Sequence, residues 1–536
     1  MNIIDDLILH SPALIVAIPL LGAFLTPLIS KINDKMRNIF VIFIVLLTSA
    51  IVLLLANDIY AVCGKIHTYV FGGSSPVTQG GFAIRILFEV DGLNIFMALI
   101  ATILAIVGVI YSWAFMKENT GLDKYYTLYL LMIAGMFGMI LTGDMFNFFV
   151  FLEITSIASC ALIAFWTNKG KAVDAGFKYI VVSATGALFI LFAIAILYGQ
   201  YNALNMAVLA SKIEFSFLDN IALVVLVSGL AMKAGIVPMH MWLPDAYGRA
   251  PASVTLILVG VTQASLYGAL RMIFTVYGDS LSTTLNQIGD INIELNLILG
   301  IFIVALALLT IFIGVLMALK ENNFKRMIAF AAVAEIGYMI LAIGAALTTI
   351  FSAAETDIGT GAMALKGGIF HILNDALDVG LLFLVAGAVY YATKETSLNR
   401  LGGLARNMKY TTIFFLIGLL AVSGMPPMNG FASKLIIYES TYQVNPILSI
   451  IAILCSILLL AVFVKVFHSA FLGPKQPKFD DVKEVPKSML LAMGIIACII
   501  IFIGLFPDIV VNNIVQPAVN AITDNSNYIS NVIGGI

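Results

Sequence analysis

The chain has 536 residues, of which 61% are hydrophobic and only 11% charged, with a formal net charge of −2 and a mean hydropathy of +1.04. An ordinary soluble domain is about a quarter charged, so this composition excludes a water-soluble fold. The near-neutral charge comes with no basic run or motif that calls for nucleic acid.

The amino terminus reads Met1-Asn2-Ile3-Ile4-Asp5-Asp6, acidic where a secretory signal is basic, so the first apolar run is expected to stay as a membrane helix. Long apolar runs then recur, among them Ala13 to Ser30, Asn38 to Ala56, Ile221 to Val237, Leu297 to Leu319 and Met489 to Phe506. There are roughly fourteen runs near the ~20 residues a spanning helix needs. Only helices and closed barrels satisfy their backbone in lipid, and runs this long and non-alternating are helices. The expected fold is an all-α polytopic protein of about fourteen transmembrane helices, multi-pass in the cell (cytoplasmic) membrane.

The longest connection, 57–89, is Gly-rich with few charges. It reads as an external loop with room for short strands and no evident chemistry. Between Tyr201 and Ser211 an amphiphilic stretch suits an interfacial helix. Lys and Arg cluster in alternate connections, from Lys31, Lys35 and Arg37 to Lys475, Lys478, Lys483 and Lys487. By the positive-inside rule that set faces the cytoplasm, and an even span count puts both termini outside.

Cys63, Cys160, Cys455 and Cys498 are scattered, with no C-x-x-C pair, which suits packing rather than metal or redox chemistry. No phosphate-cradling loop and no paired histidines are present, so no cofactor is expected.

Several charges lie where lipid should be. Glu153 sits in a Phe-rich helix, Lys233 in Leu230-Ala231-Met232-Lys233-Ala234-Gly235, Glu335 two residues before Gly337-Tyr338, and Lys434 after Pro426-Pro427. A lone carboxylate or ammonium there costs roughly 2.5 to 3.5 kcal/mol or more, so each must face protein or water. Structural ion pairs and snorkelling lysines are the plain readings. For Glu153 and Lys233 intramembrane ionisable groups favour function, because burial and a neighbouring opposite charge poise a lysine to exchange protons.

His371, Asp375 and Asp378 share one helical face, a relay as readily as a packed polar patch. His240 and Asp245 lie at a proline-flanked break that is either a tight turn or a water entry point. Lys325 and Arg326 read as a topological anchor. Gly235-Ile236-Val237-Pro238 is echoed by Gly424-Met425-Pro426-Pro427, each with a membrane glutamate upstream. Repeat-built transporters carry such broken helices in corresponding positions.

The run Val237-Pro238-Met239-His240-Met241-Trp242-Leu243-Pro244-Asp245-Ala246-Tyr247 closely resembles the P-F-H-x-W-L-P-D-A-H fingerprint of the antiporter-like subunits of respiratory complex I and the Mrp sodium/proton antiporters. Asp91-Gly92-Leu93, the Glu153 helix, Lys178-Tyr179, Lys325-Arg326, Ile336-Gly337-Tyr338 and Pro426-Pro427 through Lys434 match in the family's order. Within the family the D-type Mrp component, a type also built into membrane-bound energy-converting hydrogenases, is the most similar.

The resemblance implies two inverted five-helix repeats, each with a proton half-channel, joined by a central charged file. It assigns Glu153 and Lys233 to the first half-channel, Lys434 to the exit and His371 to the connecting helix. Two cationic carriers of the family are absent here. Gln263 stands where many members have lysine, while Asp375 and Val379 stand where the family has a second histidine and a lysine.

The implied division is N-terminal transmembrane helices 1–120 (with external loop 57–89), a first repeat 121–280, a second repeat 290–473, and a C-terminal transmembrane helix and tail 474–536. The function implied is proton translocation, with exchange for sodium as an alternative, inside a multi-subunit complex: an Mrp-type antiporter, or a hydrogenase or complex I-like oxidoreductase whose redox centres lie in other subunits. Candidate ion-path residues are Glu153, Lys233, His240, Gln263, Glu335, His371, Asp375, Asp378 and Lys434. A non-conducting structural subunit is the alternative that Gln263 and Val379 motivate. A self-contained solute transporter finds no distinct midplane site in the sequence.

Overall fold

A computed structural model describes residues 3–62, 64–71, 86–278, 281, 284–288, 291–351, 355–474 and 476–534. Helices α1 (Ile3–Ser30) and α2 (Asp34–Tyr60) lead into a small antiparallel ladder, β1 (His67–Val70) on β2 (Leu87–Val90). The expected strands of the long connection are therefore present, although Cys63 and residues 72–85 of that connection lie outside the described residues.

Then follow α3 (Gly92–Phe115), α4 (Leu122–Leu141), α5 (Met145–Ile163), α6 (Gly170–Tyr201) and the short α7 (Met206–Lys212), which occupies the expected amphiphilic stretch. Next come α8 (Phe217–Ala234), α9 (Trp242–Arg249) and α10 (Ala252–Leu270), the last prolonged by a π turn, Arg271–Val276. A hairpin of β3 (Thr284–Ile288) and β4 (Ile291–Glu294) leads to α11 (Leu295–Lys320), α12 (Phe324–Thr349) and α13 (Glu355–Thr393). The chain closes with α14 (Lys409–Val422), α15 (Asn429–Val444), α16 (Pro446–Val466), α17 (Lys487–Leu505), α18 (Pro507–Val510), α19 (Gln516–Thr523) and α20 (Asn525–Gly534).

Among the described residues thirteen helices are long and apolar enough to cross a membrane, α8 and α9 counting as one interrupted span. The pair α14 and α15, divided by the break 423–428, brings the count to the expected fourteen if it crosses as one.

Burial sorts these helices. On α1, α6, α11 and α16 much of the surface is apolar and exposed, as at Phe24, Phe192, Ile301 and Leu454, which is what lipid requires of a peripheral helix. By contrast α10 is buried at every residue, and the most apolar stretches of α12 and α13 are buried throughout. These three central helices carry Gln263, Glu335, His371, Asp375 and Asp378, so the fold places the polar residues on its most enclosed elements.

Helix ends are set locally. Asp91 caps α3 by accepting from Leu93 N (2.9 Å) and Asn94 N (3.1 Å), while Asn94 Oδ1 accepts from Asp91 N (3.0 Å). The four orphan N–H groups of a helix start need such partners. Close approach of α6 and α8 depends on small residues, since a Cβ on Gly229 would lie 2.6 Å from Gly186 O. Membrane helices pack through such contacts because lipid offers no hydrophobic drive between them.

Candidate functional site

The first half of the site is built where α8 stops. Gly235 takes a left-handed conformation (φ +74°) as the C-cap of α8, which glycine adopts at little cost. Two residues earlier Lys233 points inward and is buried. Its Nζ lies 3.6 Å from Glu153 Oε1 on α5, an ion pair longer than a hydrogen bond. Nζ also donates to Ser156 Oγ on α5 and Ser183 Oγ on α6, both at 2.6 Å. The Glu153 side chain keeps 29% of its exposure, against 5% for Lys233.

The neighbouring fingerprint proves largely a clamp. Trp242 Nε1 donates to Met232 O (2.9 Å) beside Lys233, and its ring meets Tyr179 edge-on at 5.1 Å. Asp245 accepts from Lys178 (2.9 Å) and pairs with Arg326 (3.3 Å). His240 is buried in the turn at Met239–Met241, and its Nδ1 has no hydrogen-bond partner among the described residues. Lys233 pairs with Glu153 and donates to the two serines, not to this histidine. Lys325, expected to sit with Arg326 as a surface anchor, is instead buried and donates to Ala250 O (2.5 Å) and Thr255 Oγ1 (3.1 Å).

From Lys233 a cavity of about 10 Å³ lined by Ser156, Thr262 and Ser265 leads to α10, close to the room one water needs. Thr262 and Tyr247 share a short hydrogen bond there. Adjacent Gln263 donates through Nε2 to Asp375 Oδ2 on α13 at 2.8 Å. Two of the three positions that depart from the family pattern thus face each other. Val379, the third departure, is fully buried and apolar.

One turn back along α13, His371 Nε2 meets Glu335 Oε2 at 2.9 Å, and Lys434 Nζ donates to Glu335 Oε1 at 2.8 Å. Glu335 therefore uses both oxygens, with 1% of its side chain exposed. Lys434 Nζ also donates to Val422 O (2.8 Å) and sits 4.5 Å from the centre of the Tyr338 ring. Ser433 Oγ contacts His371 Nδ1 (3.0 Å) and accepts from Asn374 (2.8 Å). Asn429 Nδ2 donates to Asn374 Oδ1 (3.1 Å) and Asp378 Oδ1 (2.9 Å).

The backbone breaks at the two lysines are alike. Gly424 also has positive φ (+67°), and Val237-Pro238 and Pro426-Pro427 are both cis.

Some members of this network do not stand out in the sequence. Ser156 lies one turn from Glu153, and helical spacing is the signal that could find it. Ser183, Thr262, Asn374, Asn429 and Ser433 carry no such signal, because their relevance comes only from what packs opposite. Glu335 is conspicuous by itself, but its simultaneous contact with His371 and Lys434 is not.

A second polar cluster lies off this line. Asp91 pairs with Arg271 at 2.7 Å, and the 57–89 connection, expected to be chemically silent, ends on buried Glu89, bonded to Asn205 and Tyr528. Burial raises the Glu89 carboxyl to about 7, and nearby Asp144 adds to the rise, although the bonds from Tyr528 and Asn205 and the charge of Arg271 oppose it. No group of three His, Cys, Asp or Glu side chains that could hold a metal occurs among the described residues.

A helical membrane bundle with ionisable side chains strung through its centre defines the class: a polytopic membrane protein with an internal polar file. Residues 142–460 match the family model for the transmembrane segment shared by NADH:quinone oxidoreductase and the Mrp antiporter, and residues 77–126 match the N-terminal segment of chain 5 of NADH-ubiquinone oxidoreductase (complex I). The chain belongs to this family of antiporter-like membrane subunits.

It is 30% identical to the N subunit of NADH-quinone oxidoreductase from Desulforudis audaxviator, over 95% of this chain and 98% of that protein. It is 28% identical to the D subunit of the Na(+)/H(+) antiporter from Alkalihalophilus pseudofirmus, over 82% and 85% of the two chains. Among solved structures a chain of the membrane-bound sulfane sulfur reductase, an archaeal respiratory membrane complex, aligns with a TM-score of 0.83 at 28% identity, covering 97% of this chain and 99% of that one.

Proposed function

We propose that this subunit moves protons along the file Glu153, Lys233, Gln263, Asp375, His371, Glu335 and Lys434, with Asp378 and Asn429 branching from it. The observation that carries the reading is the file itself, in which ionisable groups on five helices, and the amide of Gln263 on a sixth, come within 2.6 to 3.6 Å of a polar partner. Such groups are costly in a membrane and mark ion pathways. Glu153 Oε1, Gln263 Oε1, Asp375 Oδ1 and Asn429 Oδ1 are buried without a hydrogen-bond partner among the described residues, and water is a fitting partner for buried polar atoms of this kind. Hydrated in this way, the amide of Gln263 passes a proton by way of water rather than by holding it.

The two proposed repeats, 121–280 and 290–473, each contribute one glutamate–lysine pair. The driving reaction belongs to neighbouring subunits, a reading supported by relatives named as parts of quinone reductases and antiporters. Exchange for sodium is the alternative mode.

Conductance measured in reconstituted vesicles tests the proposal. Lys233→Ala should abolish proton uptake while the complex still assembles. Unchanged uptake would favour the second reading, a non-conducting anchor, for which buried Val379 in place of a carrier lysine is the specific support. The composition of the purified native complex then separates the antiporter from the redox-driven assemblies.

A further inference from the structure

On the Lys- and Arg-rich face, away from the file, a cavity of about 410 Å³ opens between the starts of α6 and α10 and the end of α13. Lys169, Lys171, Arg249, Lys325 and Lys394 line it, and among the described residues its lining includes no carboxylate. No salt bridge to any of these five cations occurs among the described residues. The carboxylates that neighbour them in sequence are engaged elsewhere: Asp174 with Lys178 (2.8 Å), Asp245 with Lys178 and Arg326, Glu395 with Arg400 (3.5 Å) and Lys478 (3.8 Å). Lys325 is buried, with Arg249 and Lys169 within electrostatic reach. Like charges gathered around an enclosed space repel unless an anion sits among them.

The walls suit such an anion. The start of α6, a helix of 32 residues, has no side-chain cap, and Gly170, Lys171 and Ala172 at that start line the cavity. A helix start adds its N–H groups and partial positive charge to those of the lysines. Lys169 Nζ is held against the rim, 3.9 Å from the centre of the Trp166 ring and donating to Tyr390 Oη at 2.8 Å. Trp and Tyr at this level are typical of the headgroup layer, and basic pockets between membrane helices take anionic headgroups.

We propose that this cavity is a binding site for a phosphate-bearing anion, supplied by an anionic phospholipid headgroup or by free phosphate. Burial of the phosphate among Lys169, Arg249, Lys325 and Lys394 neutralises their repulsion and ties the end of α13, the helix of His371 and Asp375, to α6 and α9.

The test uses the full chain in two arms. In the first, protein from bilayers of phosphatidylcholine mixed with phosphatidylglycerol is examined by native mass spectrometry for retained lipid. In the second, delipidated protein in neutral detergent is titrated with inorganic phosphate while Trp166 fluorescence is read, Trp166→Phe identifying the signal. Lys169→Gln, Arg249→Gln and Lys394→Gln, all at the rim, should each weaken binding about fivefold. Lys409→Gln, on the same face but outside the cavity, should leave it unchanged.

Retention of phosphatidylglycerol over phosphatidylcholine assigns the lipid as source. A phosphate-dependent Trp166 signal without lipid preference assigns the free anion. Neither signal, or equal losses from Lys409→Gln and the rim variants, overturns the site. Thermal melts of each variant confirm that the fold survives.

Discussion

The two glutamate–lysine pairs use the same residue types in different surroundings. Glu153 and Lys233 stand 3.6 Å apart, the lysine is satisfied by two serine hydroxyls, and the glutamate retains part of its exposure. Glu335 is enclosed and holds Lys434 and His371 on its two oxygens at 2.8 and 2.9 Å. A loosely held, partly exposed pair can change partner or protonation state with little rearrangement. A fully enclosed triad cannot, since the loss of one member strands the others in a medium of low dielectric. In the proposed path the first pair is therefore the adjustable element and the second the rigid one.

The largest expected effect is that of Glu335→Gln. It leaves Lys434 buried beside a neutral amide and should cost about 3 to 5 kcal/mol, the range for breaking a buried pair, together with all ion coupling. Thermal unfolding in detergent checks the first and vesicle pumping the second; a melt like that of the wild type would remove the contrast between the pairs.

Glu153→Gln should also abolish coupling, but at a smaller cost in stability, because Glu153 keeps part of its exposure and Lys233 retains its two serine partners. Normal pumping in this variant would take Glu153 out of the mechanism.

Gln263→Lys tests the join between the halves. The new ammonium would face Asp375, so it should shift the pH dependence of transport, either by adding a proton site or by trapping a charge that repels its neighbours. If ion movement and its pH profile stay as in the wild type, position 263 lies off the path.

The smallest effect on transport is expected from Glu89→Gln, which asks whether any buried carboxylate would behave like the two pairs. The Glu89 carboxyl is raised from 4.5 to about 7 by burial, so between those values the folded protein binds more protons there than the unfolded chain. Stability should fall as pH rises through that window, by at most about 1.4 kcal/mol per pH unit, and level off above it. Glu89→Gln should flatten this slope in thermal melts and leave coupling intact. Lost coupling would extend the ion path to the Asp91–Arg271 cluster.

Apolar run length alone determined that this chain is a helical membrane bundle, because a spanning helix must satisfy its own backbone and shows it in some twenty consecutive residues. The cost of a charge in lipid likewise made Glu153, Lys233, Glu335 and Lys434 conspicuous one at a time. The fingerprint around Trp242 marked the family, although two of its side chains turn out to brace the structure: Trp242 holds the backbone beside Lys233, and Asp245 is clamped to Lys178 and Arg326.

Only the tertiary structure decided who faces whom. Glu335 and Lys434 are 99 positions apart, and Gln263 and Asp375 are 112 apart. Periodicity within a helix says which face a residue is on but nothing about which helix packs against it. For the same reason Lys325 looked like an anchor until the packing of α12 against α9 placed its ammonium under Ala250 O, and the loop that ends at Glu89 looked silent until α7 and α20 closed over it. A buried polar group takes its meaning from its partner, and the partner is chosen by helix packing, which no single stretch of sequence contains.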